Sequence, residues 1–240
     1  MASDPALEGR AGRAKRLAVR EDVGRRIRAH REESNVSLRE LARRLSISPS
    51  AISQIETGKS RPSVSTLYAI VSELGMSLDE LFSGTNHERS PARGKVEAPP
   101  RPAPSEGAAA LSIHEGRHVQ RAGSRRSIDL ETGVRWERLT PTADPEADFL
   151  SVVYDVGGSS SQSDQAIRHS GREYGLVLSG RLQVTVGFDT YELGPGDSIC
   201  FDSTVPHVLR NAGEEPVEGI WFVIGRQPRR FNFDNEERVP

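Results

Sequence analysis

From Ser48 to Glu56 the chain reads SPSAISQIE, and Lys59 and Arg61 follow at once. This stretch has helical character, yet its outward positions are Ser50, Ala51, Ser53, Gln54 and Glu56 rather than alternating Glu/Lys pairs. Side chains this short let a helix approach another surface closely. The Gln54 amide, with one acceptor and two donor hydrogens, matches the N6/N7 edge of adenine as a bidentate pair. Lys59 and Arg61 can neutralise phosphates on either side of such a contact. The chemistry on offer is recognition of a nucleic-acid groove.

Helices must position these groups, and their start signals are legible. Ser37-Leu-Arg-Glu40 and Ser77-Leu-Asp-Glu80 read as capping boxes, Ser48 before Pro49 as an N-cap with proline at the first helical position, and Ser63 after Pro62 as another cap. Gly58 and Gly75 stand where helix ends call for a left-handed residue. Five helices are predicted, over 22–34, 37–45, 48–57, 63–74 and 77–82. Ile27, Leu38, Leu41, Ala42, Leu45, Ile52, Ile55, Leu67, Ile70, Val71 and Leu74 recur at helical spacing and are expected to form one core. Helix 37–45, the turn Ser46-Ile47-Ser48 and helix 48–57 have the spacing of a helix-turn-helix, whose second helix enters the major groove. The capped start at Ser37 offers backbone amides to a further phosphate.

Composition supports a division of labour. The 240 residues leave room for two domains, and a hydrophobic fraction of 35% is low for one globule. Residues 10–62 hold 14 Lys and Arg against 6 Asp and Glu, whereas 111–240 hold 14 against 20. A polyanion-binding front and an acidic back half follow. The lone Cys200 excludes an intramolecular disulfide and a CxxC zinc pair, and within SICFD it is expected to be a core thiol. No run of about 18 apolar residues or secretory leader is present, so the expected compartment is the cytoplasm. The expected division is a disordered basic tail (1–20), a helix-turn-helix domain (21–83), a Pro-rich linker (84–110), a β domain (111–228) and a C-terminal tail (229–240).

The run SLRELARRLSISPSAISQIETGKSRPSVSTLYAIVSELGMSLDELF, residues 37–82, resembles the lambda-repressor-like, Cro/C1 or XRE family of helix-turn-helix domains. The resemblance implies base-edge contacts from Ser50 and Gln54, with Ala51 and Ser53 beside them. It also implies backbone contacts near Ser37, Arg39, Ser48, Lys59 and Arg61.

Beyond Leu111 the texture changes to short β-like runs, FLSVVYDV, YGLVLSG, RLQVTVG, SICF and EGIWFVIG, at intervals typical of a sandwich or barrel. IRHSGREYGLVLSGRLQVTV and YELGPGDSICFDSTVPHVLRN resemble the two motifs of the cupin domain, a double-stranded β-helix or jelly-roll barrel. Metal-bearing cupins take two histidines and a carboxylate from the first motif and a histidine from the second. By that correspondence His169, Glu173 and His207 fill three positions, and Ile167 occupies the first histidine's place. Three readings stay open: a divalent metal ion held by the three groups and water, a metal-free effector pocket in which they hydrogen-bond a ligand, or a satisfied polar layer in the core. Strand alternation turns Arg168 and Arg172 outward, and Trp136, Tyr154 and Trp221 line or fill the barrel.

The expected fold is therefore an all-α helix-turn-helix domain followed by an all-β cupin-like domain. The expected function is that of a transcriptional regulator, without catalytic residues. It would bind double-stranded DNA at a palindromic operator as a homodimer, with no membrane partner, and its cupin domain would dimerise and sense a small-molecule effector. The rivals are a metal-dependent cupin enzyme with a DNA-binding head and a cupin domain that only dimerises.

Overall fold

The computed structural model describes residues 23–82, 118–144, 146–162 and 166–225, so the predicted tails and linker lie outside the described residues. Five helices form the head: α1 (23–33), α2 (Leu38–Leu45), α3 (Pro49–Glu56), α4 (Val64–Leu74) and α5 (Leu78–Phe82). Their starts are set by serines, with Ser37, Ser48 and Ser63 Oγ accepting the backbone N–H of Glu40, Ala51 and Thr66. At Ser77 the capping box closes in both directions, each bond 3.2 Å long. At Ser37 only one half forms. Glu40 turns to Arg43 and Arg44, 2.7 Å from each, because two charged donors outcompete one backbone amide. Those guanidinium hydrogen bonds, Arg43 foremost, lower the Glu40 carboxyl to about 2.

Gly58 and Gly75 take the left-handed conformation expected of them, and Ser46 does the same at the end of α2. The core positions are buried as the spacing predicts, except that Leu38 and Leu45 lie at its half-exposed border. Glu56 departs from its expected outward place. It is buried and receives Arg31 Nε and Nη2 at 2.6 and 3.0 Å, while Arg31 Nη1 donates to Val36 O at 2.9 Å. This fork ties α1 to α3. Gly24 lets the two helices close, since a Cβ there would stand 2.2 Å from Ile55 O.

Among the described residues, nine strands make the second domain: β1 (Ser127–Asp129), β2 (Val134–Arg138), β3 (Ala147–Tyr154), β4 (Arg172–Ser179), β5 (Leu182–Val186), β6 (Asp189–Leu193), β7 (Ser198–Asp202), β8 (His207–Arg210) and β9 (Val217–Ile224). They pair antiparallel in two sheets, ordered β1-β2-β3-β9-β4-β7 and β6-β5-β8. Residues of both sheets line one interior, among them Trp136, Leu150, Glu173 and Trp221 from the first and His207 and Leu209 from the second. Arg168 and Arg172 are exposed, as alternation requires. Cys200 does not sit in the core. It lies on the exposed face of β7, where Phe201 is the residue turned inward.

Head and barrel touch along the start of α4. Ser65 N donates to Ser160 O at 3.0 Å, Glu131 N to Pro62 O at 3.0 Å, and Arg126 Nη1 to Phe82 O at 3.2 Å. Arg61 faces Asp129 of β1 at 3.7 Å.

Candidate functional site

On the head, Ser37, Arg39, Ser48, Ser50, Gln54 and Lys59 are exposed, and Ala51 and Ser53 are half-exposed. Ile52, Ile55 and Glu56 fix the opposite face of α3 in the core. The exposed row on α3 is thus small, polar and set on a rigid element. Arg61, half-buried against Asp129, is the one cation of the predicted set that the structure places at the barrel.

Inside the barrel, His169 stands on the approach to β4, Glu173 on β4, and His207 at the start of β8. All three are buried. Glu173 Oε1 lies 2.9 Å from His169 Nε2 and 3.1 Å from His207 Nε2. Distance alone would make these hydrogen bonds, but neither has hydrogen-bond geometry, and all three atoms are left without a donor or acceptor. His169 Nδ1 is 3.1 Å from Ser170 O and His207 Nδ1 is 2.9 Å from Val205 O. A carbonyl oxygen only accepts, so each Nδ1 carries a hydrogen, and each ring turns its Nε2 toward the carboxylate. Three buried polar atoms thus face one another with no hydrogen-bond partner.

The remaining Glu173 oxygen, Oε2, accepts Trp221 Nε1 at 2.7 Å. Burial pushes the Glu173 carboxyl up, and the two imidazoles more than reverse this, so its pKa falls well below the usual carboxylate range. Burial, with the Glu173 charge second, raises the Tyr154 phenol. Three ligand atoms within 4.8 Å of one another, with imidazoles oriented by backbone carbonyls and a carboxylate oriented by an indole, make a cluster that could hold a metal ion. Ile167 reaches the same cavity, where it leaves the fourth corner apolar.

The sequence singles out all three of these groups but not Tyr68. Its ring, on α4 of the head, stacks on His169 at 4.3 Å and 15° and tilts against Trp136 at 5.3 Å. The helical spacing that marks Leu67, Ile70, Val71 and Leu74 passes over Tyr68, because its partners belong to the other domain.

Residues 27–81 match the helix-turn-helix family and residues 151–223 the cupin domain. The chain is a two-domain protein in which an XRE-type helix-turn-helix precedes a cupin domain, and it is homologous to HTH-type transcriptional regulators. The HTH-type transcriptional regulator PuuR of Escherichia coli (strain K12) is 25% identical over 188 residues, 78% of this chain and 86% of its own. An uncharacterized protein of Archaeoglobus fulgidus is 34% identical over 64 residues, 27% of this chain and 58% of its own. An HTH_3 family transcriptional regulator from Vibrio cholerae shares the fold, with a TM-score of 0.57 at 19% identity over 88% of this chain and 99% of that one. Among the described residues no helix is long and apolar enough to cross a membrane.

Proposed function

We propose that the chain regulates transcription as a cytoplasmic homodimer that reads a palindromic operator and binds a small effector in its barrel. The observation that carries this reading is the pairing of the small, polar, exposed row on α3 with three buried, mutually unpartnered ligand atoms in the second domain. Ser50 and Gln54, flanked by Ala51 and Ser53, read base edges. Ser37, Arg39, Ser48, Lys59 and Arg61 serve the phosphates.

His169, Glu173 and His207 are the effector-binding groups, and their donor set fits a divalent ion. Such an ion would supply an open coordination position to which an oxygen or nitrogen of the effector binds. With an apolar fourth corner at Ile167 in place of a fourth ligand, the site favours binding over catalysis.

Two half-sites about one helical turn apart require two heads. The outer face of the six-stranded sheet suits the contact between copies. There Phe149, Tyr174, Leu176 and Leu178 are exposed together, with Phe149 packed edge-on against Phe222 at 5.7 Å.

A full-length sample tests the reading in three measurements. Operator selection should recover a palindrome. Elemental analysis should find less than one equivalent of metal after purification without additives. A metabolite panel should raise the melting temperature of the unmodified chain but not of His207→Ala, whose operator affinity without effector should be unchanged. Turnover of a panel compound by the metal-loaded protein would instead establish an enzyme.

A further inference from the structure

We propose that the DNA-binding head is the lid of the barrel pocket. Tyr68 plugs the pocket against His169, and the pocket opens to organic ligands only as the head lifts away. α4 serves two interiors at once. Leu67, Ile70, Val71 and Leu74 face the core of the head, whereas Val64 and Tyr68 line the cavity that holds Glu173 and His207.

With the head in place that cavity measures about 20 Å³. This admits an ion or one water and falls far short of the roughly 300 Å³ and more of small-molecule pockets. A second space of about 190 Å³ lies between head and barrel, lined by Met76 and Leu78 on one side and Ala147 and Val223 on the other. His169 borders it. The stacked rings of His169 and Tyr68 therefore stand between the outer cleft and the inner cavity. An ion fits behind the plug, and anything larger displaces it.

The clasp that holds the lid also touches DNA chemistry. Arg61, one of the phosphate-facing cations of the head, is turned to Asp129 in the docked arrangement. Lifting the head releases it from that carboxylate, so pocket opening adds a phosphate contact. Closure of the lid and tight DNA binding oppose each other, and by linkage the effect runs both ways. This coupling rests on the effector reading of the barrel, while the docking itself does not.

The chain has two tryptophans, Trp136 and Trp221, and both line the cavity. Acrylamide quenching of their fluorescence thus reports the lid without any effector. In the full chain we expect weak quenching for the unmodified protein and for Tyr68→Phe. Asp129→Arg, which sets like charges across the clasp, and Tyr68→Ala, which removes the plug, should each raise the quenching constant about twofold or more. Asp129→Arg should also steepen the salt dependence of operator binding by about one unit. Quenching in both Asp129→Arg and Tyr68→Ala equal to that of the unmodified chain overturns the lid. If quenching rises in the variants but no compound of a metabolite panel raises it in the unmodified chain, the lid stands and the effector reading falls.

Discussion

Trp221 donates a 2.7 Å hydrogen bond to Glu173 Oε2, and it does so across a glycine. On β4, two residues beyond Glu173, Gly175 pairs in register with Trp221 of β9, and a Cβ at Gly175 would stand 2.2 Å from the indole Cη2. The missing side chain makes room for the ring that aims the carboxylate. Trp221→Phe keeps most of the packing and removes the N–H. It should weaken zinc binding about 10- to 100-fold, as is usual when the group orienting a ligand is lost. Gly175→Ala should do the same by displacing the ring. Competition against a chromophoric chelator measures both, and unchanged affinity in Trp221→Phe would remove Trp221 from the positioning of Glu173.

The row on α3 makes a separable pair of predictions. Gln54→Ala should cost about 1–3 kcal/mol on the selected operator and relax preference at one base pair per half-site. Lys59→Ala should weaken all sequences alike and reduce the salt slope by about one. Titration of a fluorescent operator and of a scrambled duplex at several salt concentrations distinguishes the two patterns.

Arg31 and Glu56 form the one ion pair of the head with both side chains nearly fully buried among the described residues. Glu56→Ala would leave the guanidinium with Val36 O at 2.9 Å and the exposed Glu32 carboxylate at 3.6 Å, at a cost of up to about 3–5 kcal/mol. Replacing both partners with apolar residues of similar size should recover most of that loss. Urea denaturation followed at the helical circular dichroism band tests this, and a loss below about 1 kcal/mol in Glu56→Ala would show that water reaches Arg31.

Helix starts and stops are legible in the amino-acid sequence because serine caps and glycine ends act locally, within three or four residues. The long strands are legible through their apolar runs. β6 is not, since four of its five residues are exposed, and β1 and β8 are only three and four residues long. Glu56 reads as exposed because its partner Arg31 lies 25 residues away on α1. Cys200 reads as buried because SICFD is an apolar run, though one face of that strand meets solvent. His169, Glu173 and His207 are found through a motif. Tyr68 escapes detection because a contact between domains leaves no periodic trace in either one.

Ile167 offers the most direct test of the barrel chemistry. Its backbone is bonded in both directions to His207, N–H to O at 2.9 and 3.0 Å, and its side chain lines the cavity. The strand pairing that holds a ligand at position 207 therefore also holds position 167 beside it, in a register that a change of side chain leaves intact. Ile167→His would complete a set of three imidazoles and one carboxylate around the Glu173 oxygen, with closed coordination replacing an apolar corner. We expect zinc or manganese affinity to rise about tenfold or more, and purified protein to carry close to one equivalent of metal. The gain should vanish when Glu173→Gln is added, because the added imidazole has no centre to join without the carboxylate. Elemental analysis of the single and double variants decides the matter: an Ile167→His protein that holds no more metal than the unmodified chain would mean that position 167 does not face the cluster.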